Sequence, residues 1–165
     1  MFNNSGITDL KSICERQGIT LDFSQVTYSS NTFHKSKVTR IPVLDVRNIA
    51  NCSSLFNSAN NLVWVDGVKL NENGGQAFGA SVSSNWVLYS MIAHLPILSG
   101  VINTNCWMPL PALDKESIES FFAALSDTTS GLSMTFSKKA KEAAFTEEEW
   151  AMLVATKPNW TISLI

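Results

Sequence analysis

Apolar residues in the first hundred positions follow two superimposed rhythms. The longer one places a phenylalanine every 22 or 23 residues, at Phe33, Phe56 and Phe78. The shorter one spaces apolar residues by three. It reads Ile7-x-x-Leu10-x-x-Ile13 after Phe2, Val38-x-x-Ile41-x-x-Leu44 after Phe33, and Leu62-x-x-Val65-x-x-Val68 after Phe56. A degraded copy, Trp86-x-x-Tyr89-x-x-Ile92, follows Phe78. Laying Leu21–Val43 over Leu44–Asp66 matches Leu21 with Leu44, Asp22 with Asp45, Val26 with Ile49, Ser30 with Ser53 and Phe33 with Phe56. A large aromatic at fixed spacing predicts successive coils that stack their rings into a buried spine. Three places after each phenylalanine stands a small residue (Ser5, Ser36, Ala59 or Ser81), which suits a tight bend. Spacing by three is compatible with a helix. Pro42, the asparagine-rich turns and the β-branched residues instead predict short strands joined by bends.

The last third carries different signals. Asp114 can cap a helix to about Leu125, with Ile118, Phe121, Phe122 and Leu125 on one face. Leu132, Met134 and Phe136 alternate with Ser133, Thr135 and Ser137, the period of a half-buried strand. A short helix is expected near Lys139–Ala144. Thr146 with Glu149 forms a capping box that opens another helix to about Ala155. Trp160, Ile162 and Leu164 then alternate as a final strand.

The repeat resembles that of BspA-like leucine-rich-repeat proteins, which is written I-x-x-x-A-F-x-x-C-x-x-L-x-x-I-x-I-P. Ala77-Phe78 stands at its A-F pair, Ile41-Pro42 at its I-P step, and Ser36 and Ala59 at its small position. The A-F pair is replaced by Thr32-Phe33 and Leu55-Phe56, and Asn71–Gly79 is glycine-rich, so a distorted third coil is expected. The tail, with Leu132-Ser133-Met134 and Trp160-Thr161-Ile162, is similar to the endings that follow such repeats in phage and gut-bacterial proteins. The resemblance implies an α/β fold: a short leucine-rich-repeat solenoid with a parallel β-sheet face and a C-terminal helix-containing cap. Residues 1–100 would form the coils. Residues 101–165 would form a capping repeat continuous with them. The chain opens inside a repeat, so a truncated copy, a longer parent, or packing against another chain (homo-oligomerisation included) at the uncapped N-terminal end is expected.

Composition narrows the classes. The 14 acidic and 12 basic residues give a net charge of −2, which argues against nucleic acid as a partner. With 45% apolar residues the chain can bury a core, yet no apolar run approaches the length of a membrane span. The N-terminus shows no basic-then-apolar signal pattern, so synthesis in a reducing interior is expected. Cys14, Cys52 and Cys106 are odd in number and widely spaced, and read as buried free thiols.

No catalytic, metal or cofactor constellation stands out. His34 and His94 have no partner at a spacing that fixes geometry. Gly74-Gly75-x-x-x-Gly79 lacks the Lys-Ser/Thr of a phosphate loop and reads as a bend. Glu147, Glu148 and Glu149 point in different directions around a helix and suit its positive end. Asp22 and Asp45 are only two members of a carboxylate row. Hydrogen bonding within turns is their expected use, with calcium the lesser alternative.

One position is suggestive. Asp9, Arg40 and Trp64 each precede the middle apolar residue of a triplet. If that residue points inward, these three form an outward row. A tryptophan beside an arginine is a common anchor for partners. The alternative is packing of Trp64 under its neighbours. Trp86, Trp107, Trp150 and Trp160 lie in apolar contexts and read as core.

The resemblance then implies a non-enzymatic structural or adhesive component of a phage virion, such as a tail, fibre or decoration protein, with a protein or glycan partner. The alternative is a bacterial cell-surface or secreted adhesin, or a fragment of one.

Overall fold

The computed structural model describes residues 5–23, 25–27, 32–33, 35–52, 55–56, 59–76, 78 and 91–165. Among these lie four helices and eight strands. In order they are α1 (Leu10–Gln17), β1 (Arg40–Ile41), β2 (Leu44–Asp45), β3 (Trp64–Val65), β4 (Val68–Lys69), β5 (Ile97–Ser99), β6 (Cys106–Met108), α2 (Lys115–Ala124), β7 (Leu132–Phe136), α3 (Lys138–Ala144), α4 (Glu147–Ala155) and β8 (Trp160–Leu164). Every pairing is parallel, and the strands fall into three small sheets: β1-β3, β2-β4-β5 and β6-β7-β8.

The three-spaced triplets set the register of the first two sheets. Ile41 pairs with Val65 and Leu44 with Val68. The bends fall where small residues were expected: Ser36 N–H donates to Phe33 O at 3.1 Å, and Ala59 N–H to Phe56 O at 3.0 Å. Strands only two residues long leave much of the backbone between Arg40 and Lys69 without ladder bonds. Side-chain amides make up part of the difference. Buried Gln76 donates from Nε2 to Val46 O at 2.5 Å and to Ile49 O, while its Oε1 accepts from Asn71 N–H at 3.1 Å.

The expectation of a leucine-rich-repeat solenoid with one continuous sheet face is overturned. The molecule is a mixed α/β fold of several small parallel sheets and four helices. Two local causes are visible. The first triplet runs into a helix, with Leu10 and Ile13 in α1, because Asp9 accepts from Ser12 N–H at 2.9 Å and Gly18 closes the end at φ 63°. Beyond β5 no strand among the described residues continues the sheet. The outward N–H groups of Leu95 and Ile97 are taken by the Ser117 and Ser120 hydroxyls of α2, at 2.7 and 2.8 Å.

The tail forms as its pattern predicts. Asp114 caps α2, a full capping box joins Thr146 and Glu149 on α4, and β7 pairs with β8 over five residues. One hydrophobic core runs from Leu10 to Trp160. Phe33 and Phe56 stack with centroids 6.0 Å apart. Phe78 is buried too, and stacks on Phe121 of α2. Phe121 and Phe122 both meet Phe136, which meets Trp150 edge-on. Trp150 and Trp160 are core, whereas Trp107 is half-buried. Phe2, Ser30, His34, Ser53, Ala77, Gly79, Ser81, Trp86 and Tyr89 lie outside the described residues. No described helix is long and apolar enough to cross a membrane.

Candidate functional site

Asp9, Arg40 and Trp64 occupy one cross-strand row. Asp9 bridges Arg40, and Arg40 pairs with Trp64. Their successors Leu10, Ile41 and Val65 are all buried, so the alternation behind the row holds. Arg40 is exposed, and Asp9 and Trp64 are half-buried.

The row has a fourth member that the three-residue spacing does not mark. His94 bridges Trp64, and its ring stacks on the indole with centroids 3.9 Å apart and planes 16° apart. The register therefore passes through Leu95, which is buried like Leu10, Ile41 and Val65. The triplet Trp86-x-x-Tyr89-x-x-Ile92 does not mark this position. A signal was present: His94-Leu95-Pro96-Ile97 echoes Arg40-Ile41-Pro42-Val43.

Trp64 is held from two sides. Beyond the His94 stack, its Nε1–H donates to Asp66 Oδ1 at 2.9 Å, and Lys11 Nζ donates to the same oxygen at 2.8 Å. This ties α1 to the β3–β4 bend. The hydrogen bond to Asp66 raises the Lys11 pKa and keeps the ammonium charged. The Ser12 backbone N–H, aided by its hydroxyl, lowers the Asp9 carboxyl below the usual carboxylate range.

His94 is oriented in turn. Its Nδ1 lies 2.6 Å from Asp114 Oδ2, while Asp114 Oδ1 accepts from Ser117 N–H at 2.9 Å. Burial opposes ionisation of Asp114, but hydrogen bonds from Ser117 and His94 outweigh it and hold the carboxyl below its ordinary value. Spacing along the chain hid this pair, because Asp114 arrives on α2, 20 residues away. An Asp–His pair can serve acid–base chemistry, but among the described residues no hydroxyl or thiol hydrogen-bonds the other ring nitrogen.

The remaining candidates resolve simply. Asp45 is gripped by the Arg47 guanidinium at 2.9 and 2.7 Å, which lowers its pKa. Among the described residues no group of three or more His, Cys, Asp or Glu side chains could hold a metal ion. Glu147 pairs with buried Lys141, and Glu149 with Lys115 at 2.8 Å. Gly74 and Gly75 take left-handed φ values of 70° and 75° in the expected bend. Cys14, Cys52 and Cys106 are free and buried, and burial pushes the Cys52 and Cys106 thiols up to about 12.

The geometry offers an exposed guanidinium next to an indole fixed by a stacked ring and a carboxylate. Compared with known protein families, curated proteins and solved structures, the chain matches none.

Proposed function

We propose that the chain is a non-enzymatic docking component of a phage virion, engaging a protein or glycan partner through the row Asp9, Arg40 and Trp64. One observation carries the docking role: Arg40 stands exposed beside an indole already immobilised by His94 and Asp66. An aromatic anchor that is rigid before contact loses little conformational entropy on binding, and a neighbouring arginine adds directional hydrogen bonds. The virion setting is supported by the resemblance of the tail residues to endings found in phage proteins, which gut-bacterial proteins share, together with the low content of charged residues.

The test uses a glycan array and a displayed peptide library, probed with wild type, Arg40→Ala and Trp64→Ala chains of verified fold. Ligands selected by wild type should be lost by both variants. Equal retention by all three would remove the row from the account. An antibody to the chain should label purified phage particles; labelling of a bacterial surface instead would favour an adhesin.

A further inference from the structure

The ladders end in two differently finished edges. At β5 and just before it, the outward N–H groups of Ile97 and Leu95 are covered by the α2 hydroxyls of Ser120 and Ser117. On β8 nothing equivalent is present among the described residues. Ile165 N–H donates to Phe136 O at 3.0 Å, and Ile165 O accepts from Lys138 N–H at 2.8 Å. Residues 161, 163 and 165 therefore turn their backbone groups toward β7. By strand alternation Ile162 and Leu164 turn theirs outward, and none of these four groups has a partner among the described residues. Trp160 O points the same way, while its N–H is donated back to Lys157 O at 3.0 Å.

We infer that β8 is a dimerisation edge, pairing antiparallel with β8 of a second copy about a twofold axis through Ile162. The strand is a palindrome in chemical character. That register sets Ile162 against Ile162, Leu164 against Trp160 and Thr161 against Ser163. Apolar side chains meet on the core face and hydroxyls on the other, both favourable cross-strand pairings. The residues with outward backbone groups also face one another. The two Ile162 residues exchange a pair of hydrogen bonds, and each Leu164 N–H reaches the opposite Trp160 O. A one-residue slip would destroy both matches at once.

The edge also lacks the usual protection against pairing. Trp160–Ile165 contains no charged residue, proline or glycine, and its register with β7 is uninterrupted over five pairs. Two copies therefore meet without like charges, as an isologous contact requires. Leu164, 39% exposed, and half-buried Ile162 would gain apolar cover. A second copy is the occupant this palindrome specifies; an unrelated strand would gain no such match.

Sedimentation of the full chain over a concentration series tests the inference. Wild type should show a monomer–dimer equilibrium. Leu164→Pro removes an outward N–H and leaves the β7 ladder intact, so its circular dichroism should be unchanged. Its dimer dissociation constant should rise roughly tenfold or more, since two hydrogen bonds are lost per dimer. A second pair of variants avoids the ladder altogether. Thr161→Lys with Ser163→Lys, and Thr161→Glu with Ser163→Glu, should each be monomeric and should dimerise when mixed. The inference is overturned by a wild type that stays monomeric throughout. It is also overturned by a dimer indifferent to Leu164→Pro, or by failure of the Lys and Glu chains to associate on mixing.

Discussion

Between Arg40 and Lys69 the strands are two residues long, and side chains finish what the ladder leaves undone. Between Leu132 and Leu164 two strands pair over five residues, and α4 between them carries a full capping box. The first region rests on single buried groups such as Gln76, whose amide serves Val46 O, Ile49 O and Asn71 N–H together. The second rests on rings, with Phe136 touching Phe121, Phe122 and Trp150. Damage to the first region should therefore act through lost hydrogen bonds, and damage to the second through lost packing.

The largest effect should come from Phe136→Ala. It empties the centre of the aromatic cluster at a fully buried site, costing about 3–5 kcal/mol in chemical denaturation. A loss below about 1 kcal/mol would deny the cluster its role.

Gln76→Ala should follow, at about 1–3 kcal/mol, because Asn71 N–H loses its acceptor and the Val46 and Ile49 carbonyls each lose one of two donors, keeping the Ile49 N–H and the Cys52 thiol respectively. Hydrogen exchange should show the loss concentrated near Val46–Cys52 and not in β7–β8. A uniform loss would erase the contrast between the regions.

Acid should discriminate next. Asp9, Asp45 and Asp114 all have folded pKa values below their ordinary ones. Their stabilisation is complete above the unfolded value near 4 and is lost as pH falls through the lower folded values. All three lie in the Asp9–Lys69 region or where α2 meets it, whereas the tail holds Glu149 on α4, lowered by Lys115 and the Thr146 N–H, so the amides of the first region should lose more protection than those of β7–β8 as pH drops below about 4. Simultaneous loss in β7–β8 would argue against this.

The smallest effect should be a gain. Ser36 Oγ is buried with no hydrogen-bond partner, and Ala59 fills the equivalent bend. Ser36→Ala should be neutral or stabilise by about 1 kcal/mol, read as a shift in the denaturation midpoint.

How much of this was legible in the sequence differs between the same two regions. The tail could be read element by element, since Asp114, the Thr146–Glu149 box and the alternation around Met134 are local signals. In the coils the apolar triplets gave the ladder register, but the architecture did not follow. Spacing by three is shared by short coils and by helices, and the choice at Leu10 was made by Asp9, Ser12 and Gly18. Where a sheet stops is decided by what reaches its edge, and Ser117 and Ser120 approach β5 from a distant helix. The site shows the same division. The row of Asp9, Arg40 and Trp64 came from periodicity. Its fourth member and the Asp114 behind it came only from folding, although Leu95-Pro96 repeats Ile41-Pro42.

The central claim is that Trp64 is fixed in place before any partner arrives. Nuclear magnetic resonance of the free chain tests it most directly, through the Trp64 indole N–H and the contact between the Trp64 and His94 rings. The account predicts a slowly exchanging indole proton, lost from protection in Asp66→Ala, together with ring-to-ring Overhauser effects to His94. An indole proton exchanging at the solvent rate, with no cross-relaxation to His94, would contradict it.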